Sequence, residues 1–206
     1  KTNLDHIILL GCGTSYHSGL ICMRMLKQLE LFTSVQLFDG ADFSGVDIPT
    51  SGKSGAILIS QSGETKDLHR CIKICRAHSI FTIGVVNVVD SLIAREVDCG
   101  CYLHAGREVG VASTKAFTSQ IIVLTLITIW FAQEKDKCLV ERKQMISDLR
   151  NLHKDIQTII KTSAENIDNL LEIFKEQSSC FVLGKDMGEA VAREGALKIK
   201  EISYIH

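Results

Sequence analysis

The chain has 206 residues, 46% of them hydrophobic, enough for one complete domain with a real core and part of another. Its formal net charge is −1 and no block of Lys and Arg stands out, so the sequence carries no electrostatic footprint for a nucleic-acid backbone or an anionic membrane. A small ligand is the expected partner.

The greasiest run, 121–132, is shorter than the ~20 apolar residues of a membrane span and is interrupted by Thr125 and Thr128. It reads as a buried helix. The cysteines (Cys12, Cys22, Cys71, Cys75, Cys99, Cys101, Cys138 and Cys180) follow no signal peptide and sit mostly among apolar residues. Free thiols in a reducing, cytoplasmic setting are expected. With no C-x-x-C pair and no H-E-x-x-H, neither a metal nor a cofactor is expected.

In chain order, short β-type runs alternate with helical ones. Residues 6–10 form a first strand, followed by a glycine turn and a helix over about 15–29. Further strands are expected at 34–38, 55–59, 81–86 and 101–104, with a helix over about 66–78. Their near-continuous apolar character suits a parallel sheet covered on both faces, so the fold class is α/β with a doubly wound five-stranded sheet. Pro49 lies in a surface loop between the second and third strands. A helix over 116–133 follows, then two helical stretches at about 140–161 and 167–177 that look like a connector. Residues 180–183 read as another strand. With Gly184 and the helix after it, they repeat the order seen at Leu9, Leu10 and Gly11, shifted by 173 positions. The expected organisation is a complete sheet unit at 1–135, a helical connector at 136–178 and the start of a second, incomplete unit at 179–206.

Two strand-to-helix turns carry the chemistry. Gly11, Cys12, Gly13, Thr14 and Ser15 leave free N–H groups at a positive helix end beside two hydroxyls, which suits an anion. A tight turn with Ser15 capping the helix is the plainer alternative. A dinucleotide fingerprint would need a third glycine close by, and Gly19 arrives too late. The second turn, Ser60, Gln61, Ser62, Gly63, Glu64 and Thr65, offers three hydroxyls and an amide at the end of the third strand. Two such turns at the carboxyl edge of one sheet converge on one ligand, and hydroxyls without Lys or Arg suit the phosphate of a sugar. Thr65 as a helix cap is the alternative here.

Near the end of the chain, Glu194, Lys198 and Glu201 fall at helical offsets of four and three, within an arc of about 60°. Leu197, Ile202 and Ile205 border them, so the charges are expected to be partly buried, with Lys200 facing solvent. A carboxylate beside a cation in such a setting can move a proton, although an ordinary surface salt bridge has the same spacing.

At the two turns the chain resembles the sugar isomerase (SIS) superfamily. With residues 110–117 and 194–206 added, four blocks in order across nearly the whole chain are similar to the isomerase part of the glutamine:fructose-6-phosphate aminotransferases. The resemblance implies that Thr14, Ser15, Ser60, Gln61, Ser62 and Thr65 contact the phosphosugar and that Val111 contacts the sugar through its backbone. Ser113 and Lys115 are further, weaker candidates. It also implies that Glu201 is the base between C1 and C2, that Lys198 polarises the C2 imine or its neighbouring hydroxyl, and that Glu194 orients the lysine. Fructose 6-phosphate and glucosamine 6-phosphate are the implied ligands, in amino-sugar synthesis by a homodimer.

The family's glutaminase, ring-opening histidine and Schiff-base lysine are not found in these 206 residues. Complete synthesis by this polypeptide alone is not expected. Arg107 and the pair Lys185 and Asp186 depart from the family pattern, the latter where Arg-Gly is usual. A non-catalytic phosphosugar sensor is the alternative reading, and the trio on the last helix favours an enzyme over it.

Overall fold

The computed structural model describes residues 3–110 and 112–206. Five strands, β1 (His6–Gly11), β2 (Ser34–Asp39), β3 (Ser54–Ser60), β4 (Phe81–Val86) and β5 (Cys99–Tyr102), form one all-parallel sheet in the order β2-β1-β3-β4-β5. The helices are α1 (Thr14–Gln28), α2 (Lys66–Ala77), α3 (Leu92–Glu96), α4 (Lys115–Glu134), α5 (Leu139–Phe174) and α6 (Met187–Ser203). This is the doubly wound α/β sheet that the apolar strand runs lead one to expect.

Alternate residues of those runs serve opposite faces. Ile7, Leu9, Ile57, Ile59 and Val85 pack with Cys22 and Leu26 of α1 and with Leu124 and Phe131 of α4. Ile8, Leu10, Ala56 and Leu58 pack with Leu68, Cys71 and Ile72 of α2 and with Ile93 of α3. Because both faces are covered, neither parity of residue can be polar, and the strands read as continuous apolar stretches. The chain order reverses between β1 and β3, and there the two turns leave the carboxyl edge side by side.

Three expectations are corrected. The fifth strand starts earlier than residue 101, because Gly100 lies so close to β4 that a Cβ there would stand 2.4 Å from the Gly84 carbonyl oxygen. The stretch between 139 and 174 is one helix of 36 residues rather than two. It contains no Gly or Pro to stop it, and Thr158, Thr162 and Asn166 bond back to carbonyls four residues earlier instead of breaking the helix. Finally, residues 180–183 join no sheet: the Cys180 N–H donates to the His206 carbonyl, and the His206 N–H to that of Ser178. Apolar residues alone do not make a strand without a neighbour to complete the ladder.

The apolar run at 121–132 lies inside α4, which at 20 residues is long and apolar enough to cross a membrane by length and composition. Half of its apolar window is buried, packed in the manner of a core helix against α1 and the sheet.

Helix α6 lies antiparallel on α1, with Leu20 and Ile21 against Ala190 between them. The shift of 173 positions seen in the sequence is also a geometric repeat. It carries Gly13 onto Asp186, and the two residues preceding the helices share one backbone conformation, φ 54 and ψ −125 against φ 54 and ψ −124. It also carries Gly11 onto Gly184. A Cβ on Gly11 would meet the Ser15 backbone at 2.8 Å, and one on Gly184 would meet that of Gly188 at 2.2 Å.

Candidate functional site

The first turn is tight because Gly11 has no side chain to strike Ser15 and because Gly13 takes a positive φ. Thr14 opens α1, so Ser15 lies inside the helix rather than capping it, and no side chain caps the first N–H groups. The Ser15 N–H turns back to the Cys12 carbonyl at 3.1 Å, so what this turn offers an anion is the positive end of α1 and its hydroxyls. The buried Ser15 hydroxyl accepts from Gln120 Nε2 at 3.0 Å, which orients it from α4. Burial, with Asp39 next, pushes the Cys12 thiol up to about 11, so this cysteine stays protonated at neutral pH and is no nucleophile.

The second turn is held from within and from α3. Ser60, 2% exposed, accepts the Gly63 N–H at 3.0 Å and lies 3.2 Å from the Thr65 hydroxyl, while Ser62 accepts the Glu64 N–H at 3.1 Å. Thr65 precedes α2 but makes no side-chain cap bond, so its hydroxyl faces Ser60 instead. Gly63 adopts φ +68, and a Cβ there would stand 1.9 Å from Ser91 Oγ. Its carbonyl accepts the Ile93 N–H at 2.9 Å, Glu64 accepts the Leu92 N–H at 2.9 Å, and Gln61 accepts the Asn87 N–H at 3.3 Å. Beside Gln61 opens a cleft of about 440 Å³ of mixed lining, bordered by Asn87, Val88, Val89, His104 and Glu108.

Val111 lies outside the described residues. Around it, Glu108 gathers the loop: it accepts from the Ser113 hydroxyl at 2.9 Å and from the Thr114 N–H at 2.7 Å. Burial raises the Glu108 carboxyl, but donors from Thr114, Ser113 and Ala116 outweigh it and hold the group below the ordinary carboxylate range. Lys115 turns its ammonium to the Arg107 carbonyl at 2.9 Å. Ser113 and Lys115 therefore have partners within the loop itself.

On α6, Glu194, Lys198 and Glu201 share one stripe, with Lys198 Nζ 2.6 Å from Glu201 Oε2 and 3.4 Å from Glu194 Oε1. Lys200 is exposed. Glu194 is only 5% exposed and reaches across to α1, where it accepts from Thr14 Oγ1 at 2.9 Å and lies 2.7 Å from His17 Nδ1. Burial raises its carboxyl, yet the bonds to His17 and Thr14 and the charge of Lys198 hold it below its ordinary value. One chain of hydrogen bonds and an ion pair thus runs from the first turn through Glu194 and Lys198 to Glu201. Ser60 and Thr65 form a separate pair, with no recorded bond to α6 among the described residues.

Sequence reasoning missed His17, Gln120 and Glu108. Only His17 had a local signal, since it lies one turn after Thr14 and so shares its face of α1.

The comparisons with known proteins agree with this geometry. The family description "SIS domain" matches residues 2–129. A probable glutamine–fructose-6-phosphate aminotransferase [isomerizing] of Acanthamoeba polyphaga mimivirus is 48% identical over 205 residues, covering 100% of this chain and 34% of the relative. Glutamine–fructose-6-phosphate aminotransferase [isomerizing] 2 of Homo sapiens is 39% identical over 201 residues, 97% of this chain and 29% of its own length. The chain therefore spans about a third of the length of these relatives. Among solved structures, the C-terminal domain of glucosamine-fructose-6-phosphate aminotransferase from Francisella tularensis superposes with a TM-score of 0.90 at 30% identity, covering 99% of this chain and 58% of that one. On its sheet, its turns and this match, the chain belongs to the SIS domain family.

Proposed function

We propose that this chain is the part of a glutamine–fructose-6-phosphate aminotransferase [isomerizing] that binds the phosphosugar and moves a proton between C1 and C2. The observation that carries the reading is the chain of contacts Thr14, Glu194, Lys198, Glu201, two hydrogen bonds joined by the Glu194–Lys198 ion pair, which links the first turn to a carboxylate and cation. A salt bridge serving only stability has no need to reach the mouth of that turn.

In this reading the amides and hydroxyls of Thr14, Ser15, Ser60, Gln61, Ser62 and Thr65 hold the phosphate and nearest hydroxyls, and Val111 contacts the sugar through its backbone. Glu201 takes a proton from C1, giving an enolamine, while the C2 imine nitrogen gains one. Glu201 then returns its proton to C2 as the C1 hydroxyl gives up its own, leaving the aldehyde of glucosamine 6-phosphate. Lys198 stabilises charge at the imine or hydroxyl, and Glu194 orients Lys198. The C2 imine forms as ammonia, from a glutaminase elsewhere in the full-length enzyme, adds to the C2 carbonyl and its oxygen leaves as water. Residues 1–135 act as the phosphosugar unit, 136–178 as connector and 179–206 as the opening of a second SIS unit, in a cytoplasmic homodimer.

The test is to mix the protein with fructose 6-phosphate in deuterated water and follow both binding and exchange at C1, for wild type and Glu201→Gln. Exchange that Glu201→Gln abolishes supports the proposal. Binding with no exchange in either protein supports a phosphosugar sensor instead.

A further inference from the structure

The shift of 173 positions that relates α6 to α1 also relates the two ends of their antiparallel contact. It carries Thr14 onto Met187, His17 onto Ala190 and Ile21 onto Glu194. At one end Ile21 packs near Ala190 with Leu20, an apolar contact. At the other end the corresponding positions are Glu194 against Thr14 and His17, a buried carboxylate held by two donors. Beyond the apolar contact Arg24 pairs with Glu189 where both side chains are about a third exposed, whereas Glu194 is a carboxylate buried inside the helix contact.

Building on the acid–base reading above, we propose that His17 is a positioning residue, which holds Glu194 from the α1 side so that Lys198 is left to pair with Glu201. The distances follow this division. His17 Nδ1 stands 2.7 Å from one oxygen of Glu194, Thr14 donates to the other at 2.9 Å, and Lys198 stays at 3.4 Å from Glu194 while closing to 2.6 Å on Glu201. Both His17 and Glu194 are largely shielded from water, with 14% and 7% of their side chains exposed, so loss of the imidazole leaves a buried carboxylate oxygen without its donor. The nearest cation able to replace it is Lys198. Moving Lys198 to Glu194 withdraws the ammonium from Glu201, and the candidate base loses its charged neighbour.

Two measurements test this, and one does not depend on turnover. In protein labelled with ¹³C at the glutamate carboxyls, with the Glu194 signal assigned through Glu194→Gln, the titration of Glu194 is compared between wild type, His17→Ala and His17→Asn. Alanine occupies the matching position at 190, so His17→Ala suits a helix pair of this kind. If it does not fold, His17→Met, apolar and of similar volume, serves in its place. The expected result is a Glu194 titration raised by about one pH unit or more in the apolar variant. It returns toward wild type with Asn, whose amide donates from nearly the position of Nδ1. A Glu194 titration equal in wild type and the apolar variant overturns the proposal.

The second readout is C1 exchange from fructose 6-phosphate, in which the apolar variant is expected to lose about ten- to a hundredfold in kcat with KM little changed, and Asn to recover most of it. An equal loss with Ala and Asn overturns the positioning role. Absence of exchange in wild type counts against the proposed function alone, since the carboxyl titration still decides the role of His17.

Discussion

The sheet unit and the helices that follow it bury their apolar residues on opposite terms. Through α4, apolar residues fill two closed layers, and Ile7, Leu9, Ile57 and Leu58 are fully buried. From α5 onward the same residue types lie open: α5 has no buried residue, and Ile159, Leu170, Phe181 and Leu183 are exposed. Yet α6 is held against α1, because Arg24 pairs with Glu189 at one end and Thr14 and His17 hold Glu194 at the other. Order in the first region comes from the hydrophobic layers, whereas α6 in the second joins α1 through a small apolar contact at Ala190 flanked by polar ones.

That contrast can be broken from either side. Leu9→Ala opens a cavity under both α1 and α4 and is expected to cost about 2–5 kcal/mol of stability, whereas Ile159→Ala on α5 changes it by no more than ~0.5 kcal/mol. Chemical denaturation of both variants gives the difference directly. Gly63→Ala combines a positive φ with a clash against Ser91 and is expected to cost about 1–3 kcal/mol. Because the strain falls on the second turn, affinity for fructose 6-phosphate measured by calorimetry falls with it.

Acid sharpens the comparison at the α1–α6 contact. The Glu194 carboxyl is lowered in the folded chain, so its contribution is complete above the unfolded value of ~4.3 and is lost as pH drops through the folded one. Melting temperatures of wild type and Glu194→Gln are therefore expected to converge as pH falls below ~4. The smallest effect is expected at Asp186, which holds the conformation that Gly13 holds in the first unit. Asp186→Gly relieves the positive φ and removes only a long, exposed contact of 3.7 Å to Arg24, for a net gain of about 0.5–1 kcal/mol. Gly13→Asp, judged by the same melt, moves the other way.

Much of the sheet was legible because parallel strands covered on both faces have to be apolar throughout, and glycines punctuate the ends of β1 and β3. The bounds of β5 were not, since they depend on a backbone approach at Gly100 that only the folded sheet reveals. The two helical stretches expected at 140–161 and 167–177 are one helix, because Thr162 and Asn166 in the gap between them bond back within it, and nothing in the local sequence announces those bonds. At 180–183 the residues suit a strand and the missing ingredient is a neighbour. The helical spacing of Glu194, Lys198 and Glu201 was readable, whereas the bonds from Thr14 and His17 to Glu194 join residues far apart in sequence that leave no local pattern.

The second turn is pinned by the protein's own contacts. With the Gly63 carbonyl taken by Ile93, Glu64 by Leu92 and Gly63 itself wedged against Ser91, its hydroxyls already stand in place. Association at such a turn would require little reordering of backbone, so its speed would be governed by diffusion and the stripping of water rather than by loop closure. A phosphate-bearing ligand would meet this turn as a rigid template, and selectivity among sugars would rest on the less constrained contacts around it.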